Sequence, residues 1–404
     1  MYKVLITTSG IGSRLGDLTS YTNKCLVRVG NKPAISYILE NYDEDVEFVI
    51  TLGYYGNHVK DFLNLAYPNK KFTFVEIDNY NDLGSSLGYS LLKAKDHLQC
   101  PFIFHASDTI VLEKIPNPTL NWLGYSYKDN FSHYRTIELN SVLKIYEKGD
   151  LSSSAIYIGL AGIKDYNSFW NNLEKEYLKN PNNSNLSDCH AINNFLDADW
   201  KTFEFKTWLD IGNVSALKET RKKIKNTFDV LDKNDESIFI FDDFVIKFFH
   251  DEIICNNRIE RGINLGNLVP KMLGYTSNFY KYEYLDGDLF SSVVNEKTFE
   301  KFLNWSFNNL WIRKENDENF KNICNNFYFK KTKERINKFL FKYNIIDKIE
   351  IINGYEVPPV LEMIDSIDIN RLCTSNPYQF HGDYILDNVI VQKNESFKLI
   401  DWRQ

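Results

Sequence analysis

No two of the six cysteines (Cys25, Cys100, Cys189, Cys255, Cys324, Cys373) stand at C-x-x-C spacing, so neither a zinc ribbon nor a disulfide framework is expected. Positive charge is not in excess either: 47 Lys and Arg face 54 Asp and Glu, a formal charge of -7. A chain built to neutralise a nucleic-acid backbone needs the opposite balance, so no nucleic-acid partner is expected, and only local basic patches are left for phosphates. No apolar run approaches the ~20 residues that span a bilayer. The opening "MYKVLITT" enters a strand with no basic and apolar leader. A soluble, cytoplasmic protein with no membrane span is the expectation. No internal repeat is evident.

At 404 residues the chain exceeds one ordinary core and is expected to form two domains or three. With 43% hydrophobic and 25% charged residues it can bury a sizeable interior. The 25 Tyr, 29 Phe and 7 Trp are packing mass before they are ligand contacts. In the first half the strand-like runs "KVLITT", "EFVITLG", "FTFVEID" and "PFIFHASD" alternate with helix-like segments at Ala34 to Asn41, Asn57 to Leu65 and Ser85 to His97. That alternation implies a mostly parallel sheet covered on both faces. An amphipathic helix is expected near Asp165 to Lys179, and the charged "LKETRKKIKN" reads as a terminal helix running into a linker. From about Phe228 the pattern changes to a hairpin, "SIFIFDDFVIKFF", whose Asp-Asp is turn-prone. A long helical stretch is expected from Glu296 to about Lys348, and two short strands, "NVIVQ" and "FKLID", close the chain. The boundary is placed near residue 225.

The first strand leads into "TTSGIGSRLGDLTSYTNKCLV". A dinucleotide fingerprint would have a third glycine three residues after Gly12, but that position is Leu15, so the Rossmann match fails. The loop instead sets Arg14 and Lys24 beside exposed backbone amides. Amides and cations together suit a triphosphate, because phosphate oxygens need donors and the charge needs compensation.

The run G-x-G-S-R-L, followed by Thr19, Lys24 and "VGNKPAISYILE", resembles the signature of the sugar-phosphate and choline-phosphate nucleotidyltransferases over about residues 1 to 220. The resemblance implies that the loop of Gly10, Gly12, Ser13 and Arg14 wraps the nucleotide phosphates and that Lys24 contacts them. It departs once: the family usually has Pro before that lysine, where this chain has Asn23. "DLGSSLGYSL" resembles the family's base-recognition turn, through Gly84, Ser85 and Ser86. Asp108 ends a buried strand, where a carboxylate without a role would be costly to desolvate. Asp210 in "WLDIGN" is its expected partner. Two carboxylates can hold Mg²⁺ against the α-phosphate, since that ion takes few protein oxygens. Lys148 in "YEKGD" resembles the lysine near the acceptor phosphate.

At the other end, "HGDYILDNVIV" and "LIDWRQ" resemble the H-G-D-x-x-x-x-N and I-D motifs of the choline-kinase and aminoglycoside-phosphotransferase family. Asp383 is then the base for an acceptor hydroxyl, and Asn388 and Asp401 offer oxygens to Mg²⁺. Lys247 in "FVIKFF" stands where a kinase strand carries its phosphate-binding lysine, with Glu260 as its helix partner and Glu252 as a rival for that role. "YKYEYLDGDLF" resembles the hinge between lobes. Family members continue well past the metal-binding Asp, whereas this sequence stops three residues after Asp401, so an incomplete kinase half is expected.

The fold class implied is α/β: a Rossmann-like nucleotidyltransferase in residues 1–224, with a mostly parallel sheet between helices, then an α+β two-lobed protein-kinase-like domain in residues 225–404, incomplete at its C-terminus. The expected function is bifunctional. ATP phosphorylates a small alcohol or sugar, and a nucleoside triphosphate, CTP favoured, transfers its nucleotidyl group to that phosphate with release of pyrophosphate. Such a product is an activated building block for a cell-surface (capsule) polysaccharide. The alternative is a sugar-1-phosphate nucleotidyltransferase using UTP or another nucleotide, with a kinase-like half that is inactive or merely binds.

Overall fold

The computed structural model describes residues 2–139, 143–196, 199–224, 233–315, 319–374 and 376–403. Its first half is built on a seven-stranded sheet. In chain order the strands are β1 (Lys3–Thr7), β2 (Glu47–Leu52), β3 (Lys71–Glu76), β4 (Phe102–Ala106), β5 (Trp122–Ser126), β6 (Ile156–Ile163) and β7 (Lys201–Glu204). Their spatial order is β7-β5-β6-β4-β1-β2-β3. Every neighbouring pair is parallel except the two that β6 makes, so the expected mostly parallel sheet is found with one strand reversed.

The period of two along these strands feeds two cores. Val4 and Ile6 of β1, with Phe48 and Ile50 of β2, face α1 (Ala34–Leu39) and α2 (Gly56–Ala66). Leu5, Val49, Phe102 and Phe104 face α3 (Leu87–Ala94) and α4 (Tyr166–Lys179) on the other side. Helices therefore cover both faces, as a sheet buried on two sides requires. The chain goes from β1 outward to β2 and β3, then returns to place β4 on the other flank of β1. In open α/β sheets such a reversal leaves a crevice beyond the carboxyl ends of the two central strands.

The "SIFIFDDFVIKFF" segment folds as the expected hairpin, β8 (Glu236–Ile240) and β9 (Phe244–Phe249), turning at Asp242 and Asp243. With β10 (Met272–Tyr275) and β11 (Phe279–Glu283) it makes an antiparallel sheet in the order β8-β9-β11-β10. Between β9 and β10 lies a helix, Glu252–Leu265. Helix α2 explains where this sheet goes. Val59, Phe62, Leu63 and Ala66 recur at helical spacing and are buried, and Phe239, Ile246, Phe248 and Phe279 belong to the same core. The Phe62 ring lies 5.5 Å from that of Phe239 and 6.1 Å from that of Phe279. Ile240 N donates to Asn31 O at 2.8 Å and Lys281 Nζ to Leu65 O at 3.0 Å.

This sheet thus packs with the first half of the chain. The first of two compact units runs to Gly266 and resumes at Pro270–Leu285. The boundary expected near residue 225 adjoins residues 225–232, which lie outside the described residues.

The second unit comprises Asn267–Val269 and Asp286–Gln404. Its sheet has three antiparallel strands, β12 (Gly287–Leu289), β13 (Val389–Gln392) and β14 (Phe397–Leu399), and Phe290, Phe302, Phe397 and Leu399 are buried beside it. The helical stretch expected from Glu296 is found as Glu296–Asn309 and then as Phe320–Cys324, a π-helical Asn325–Lys330 and Lys331–Lys342, which follow one another without a break. The first ends where Leu310 turns inward to full burial. Among the described residues no helix is long and apolar enough to cross a membrane.

Candidate active site

The crevice beyond β1 and β4 is where the signature loop lies. Gly12 has φ 72, and a Cβ there would stand 2.9 Å from the Lys24 Cβ, so only glycine allows the loop to close over Lys24. Asn23 answers the departure from the family pattern. Its backbone has φ -73, close to the value proline enforces. Its buried amide donates to Thr8 O at 2.7 Å and Tyr54 O at 2.6 Å, while its oxygen accepts from Cys25 N at 3.0 Å. Three hydrogen bonds hold the loop at the position where the resemblance leads one to expect proline.

Asp108 follows β4. The two-residue strand Thr109–Ile110 pairs antiparallel with Leu209–Asp210, and Ile211 N donates to Asp108 O at 3.1 Å. That pairing brings the second carboxylate to the first. A Cβ placed on Gly212 would be 2.9 Å from Asp210 Oδ1, 3.3 Å from Asp108 Oδ2 and 3.6 Å from an Arg14 nitrogen. Both carboxylates and the arginine therefore converge on one point.

Lys24 Nζ is 2.5 Å from Asp108 Oδ2 and Arg14 Nη2 is 3.9 Å from it. Burial works against ionisation of Asp108, but the charge and hydrogen bond of Lys24, with Arg14 behind them, hold its carboxyl below the usual carboxylate range. Asp210 is pinned at both oxygens, by Gly212 N at 2.7 Å and by the Tyr134 hydroxyl at 2.6 Å.

Two adjoining cavities share this point. The larger, about 390 Å³, is lined by Gly10, Gly12, Ser13, Arg14, Lys24, Ser85, Ser86 and Asp108 among others. Ser86 caps α3 by accepting from Tyr89 N at 3.0 Å, so the expected recognition turn is also a helix start. Gly84 is not a wall of this cavity; it has φ 88 and packs near Pro181 and Asn182. Ser9 and Ser90, whose hydroxyls are 2.9 Å apart, complete the floor and were not foreseen from the sequence.

The smaller cavity, about 150 Å³, holds Lys148 and Asp210, with Arg14 and Asp108 common to both. Its remaining walls include Tyr134, Arg135, Tyr157, Asp188 and Trp208. No motif marked these, although "YRTIEL" and "WLD" contain three of them, Tyr134, Arg135 and Trp208. Asp188 is 3% exposed and accepts from the Tyr157 hydroxyl at 2.6 Å. Burial pushes its carboxyl up, against the pull of Tyr157 and Arg135. Burial, then Arg14 and Arg135, push the Lys148 ammonium down.

Mg²⁺ fits the pair Asp108 and Asp210. Among the described residues there is no cluster of three or more metal-ligating side chains. Two convergent carboxylates beside a cavity rich in phosphate donors are the donor set of an ion that takes its other oxygens from a nucleotide and water.

In the second half Lys247 is buried on β9, between Ile238 and Tyr280, and Glu260 is exposed on the helix Glu252–Leu265. In the second unit the expected trio does come together. Asn388 Nδ2 donates to Asp383 O at 2.9 Å, and the Arg403 guanidinium reaches Asp383 Oδ2 at 3.0 Å and Asp401 Oδ2 at 3.5 Å. Gly382, at φ 94, lets the loop pass against the Arg403 carbonyl.

No family model matches the chain. Over 201 residues it is 27% identical to the choline-phosphate cytidylyltransferase of Streptococcus pneumoniae strain R6, covering 49% of this chain and 81% of that one. It is 26% identical over 166 residues to the bifunctional protein GlmU of Methanococcus maripaludis, covering 39% of this chain and 38% of that protein. The chain thus spans well under half the length of that second relative. Among solved structures, the CTP:phosphocholine cytidylyltransferase from Streptococcus pneumoniae matches with a TM-score of 0.46 and 19% identity, over 55% of this chain and 99% of that one. These likenesses bear on the N-terminal half. The kinase-like reading of the second half draws no support from them.

Proposed function

We propose that the first unit transfers a nucleotidyl group, from CTP by preference, to a small phosphorylated alcohol and releases pyrophosphate. The observation that carries this reading is the convergence of Arg14, Asp108 and Asp210 on one point between two joined cavities, with Lys24 paired to Asp108. The nucleotide occupies the larger cavity, its phosphates over the Gly10–Arg14 loop and its base toward Ser85 and Ser86. The acceptor occupies the smaller one, its phosphate beside Arg14 and Lys148. An acceptor phosphate oxygen attacks the α-phosphorus in line; the new phosphorus–oxygen bond forms as the bond to the β-phosphate breaks, and pyrophosphate takes the electron pair.

Both reactants are anions, so Arg14, Lys24 and Lys148 must screen their repulsion before geometry can act. Mg²⁺, when held by Asp108 and Asp210, supplies charge stabilisation to the phosphate oxygens. The lysine that now neutralises Asp108 is then free to take a nucleotide phosphate as its partner. Asp188, buried with no cation in ion-pair range among the described residues, favours an acceptor that brings its own positive charge, and Tyr134, Tyr157 and Trp208 are the aromatic walls such a head group uses.

The second half is read as a kinase that uses ATP to phosphorylate the same small alcohol, so the two steps are consecutive toward an activated unit for a surface polysaccharide. The nearness of Asp383, Asn388 and Asp401 supports it.

The test is pyrophosphate release with each of the four NTPs against phosphorylated alcohols and sugar-1-phosphates, UTP with a sugar-1-phosphate being the rival outcome. Asp108→Asn should lower turnover by about 10²-fold or more at an unchanged melting temperature. Silence across a broad panel sinks the reading. For the kinase, ATP consumption with choline, ethanolamine, glycerol or sugars should vanish in Asp383→Asn.

A further inference from the structure

Lys128 belongs to no motif, yet its ammonium is held in an aromatic corner of the site. Its nitrogen lies 4.2 Å from the centre of the Trp208 ring, 5.3 Å from that of Tyr134 and 3.5 Å from the Tyr134 hydroxyl. The two rings meet edge to face at 5.2 Å, and both line the smaller cavity. Lys128 itself is not one of the cavity's walls. The Tyr134 hydroxyl in turn donates to Asp210 Oδ2 at 2.6 Å.

Asp210 differs from its partner in how its charge is met. Asp108 has Lys24 and Arg14, whereas Asp210, 5% exposed, has hydrogen-bond donors but no ion pair among the described residues. A desolvated carboxylate needs both donors and positive potential. Lys128 supplies that potential at one remove. An ammonium has donors and no acceptor, so the Tyr134 proton cannot turn toward it and is left to Asp210. The cation also polarises the hydroxyl it touches, which strengthens that donation.

We propose that Lys128 is a positioning residue: through Tyr134 it fixes the orientation of the Asp210 carboxylate, and hence the affinity of the site for the divalent cation that accompanies the nucleotide. This rests on the nucleotidyl-transfer reading.

The test is Mn²⁺ binding to the full chain in the presence of CTP, followed by electron paramagnetic resonance, beside steady-state kinetics at varied Mg²⁺. Lys128→Met should weaken Mn²⁺ binding about tenfold, the range seen when partners of metal ligands are removed. At limiting Mg²⁺ kcat should fall in step while the acceptor KM stays put. Lys128→Arg, which keeps a cation on Trp208, should bind Mn²⁺ like the wild type. Tyr134→Phe should bind like Lys128→Met, and the double variant should be no worse than Tyr134→Phe alone, because the lysine acts through that hydroxyl. The Arg and Phe variants keep the corner packed, so a melting loss in Lys128→Met does not blur the outcome.

Unchanged Mn²⁺ binding in Lys128→Met, failure of Lys128→Arg to restore it, or additive effects in the double variant would overturn the proposal. If the wild type with CTP binds no Mn²⁺, the nucleotidyl-transfer reading itself falls and takes this proposal with it. A binding defect confined to the variants leaves that reading standing.

Discussion

One methyl group at residue 212 would stand 2.9 Å from Asp210 Oδ1 and 3.3 Å from Asp108 Oδ2, in the space where both carboxylates must meet an ion or a phosphate. Gly212→Ala should therefore lower pyrophosphate release by about 10²-fold while the melting temperature moves little; full activity would show that the two carboxylates do not act together. Asn23 is the reverse case, since its three hydrogen bonds are structural. Asn23→Ala should cost about 1–3 kcal/mol in chemical denaturation and raise the NTP KM through a loosened Lys24. Lys148 gives a pH signature. Burial, Arg14 and Arg135 lower its pKa from the ordinary lysine value, so the proton leaves at lower pH than from a free lysine. Acceptor binding should then fail early on the alkaline side. Lys148→Arg should move the alkaline limb of kcat/KM for the acceptor upward, and a limb that stays in place belongs to another group. Arg14, Lys24 and Asp108 were legible because each sits in a local run with its own chemical logic. Tyr134, Asp188 and Lys128 were not, because their role comes from rings and carboxylates that only the folded chain brings together.

Helix α2 links the two sheets of the first unit and also reaches the signature loop. The Tyr54 and Tyr55 hydroxyls, just before it, donate to Thr19 O at 2.9 Å and Ser20 O at 2.8 Å. His58, one turn on, stacks on Tyr55 at 4.8 Å and meets Phe248 of β9 at 5.1 Å. Burial first, and His250 second, lower the His58 pKa to about 4. The folded state thus prefers the neutral ring. Its contribution is complete above the free imidazole value near 6.5 and is lost as pH falls toward 4, a swing of about 3 kcal/mol. His58→Phe should flatten the stability profile by that order between pH 7 and pH 4, measured by chemical denaturation; an unchanged profile would assign acid sensitivity to other groups. At this scale the strands were readable as apolar runs alternating with helix-like segments, and the hairpin from its Asp-Asp turn. The pair Glu350–Ile352 and Tyr355–Val357 was missed although Asn353 and Gly354, at φ 52 and 83, form the Asn-Gly turn that the sequence displays openly.

At the scale of the molecule, composition marked a change near residue 225, but burial follows a different line. Phe239, Ile246, Phe248 and Phe279 lie in one core with Val59, Phe62 and Leu63, so α2 is an interior helix covered by the central sheet on one side and the β8–β11 sheet on the other. Sequence could show each apolar face without showing which face it meets, because a phenylalanine carries no address. A fragment of residues 1–224 would expose what those four side chains cover, at roughly 1.5–3 kcal/mol for each large side chain left without its partner. It should melt well below a fragment ending at residue 285 and bind a hydrophobic dye that the longer fragment does not. Because Tyr54 and Tyr55 join α2 to the loop carrying Arg14, the shorter fragment should also show a raised NTP KM, and the longer one should keep the wild-type value. Equal melting temperatures and equal KM values for the two fragments would mean that the β8–β11 sheet is a separate body, with no part in holding the nucleotide loop.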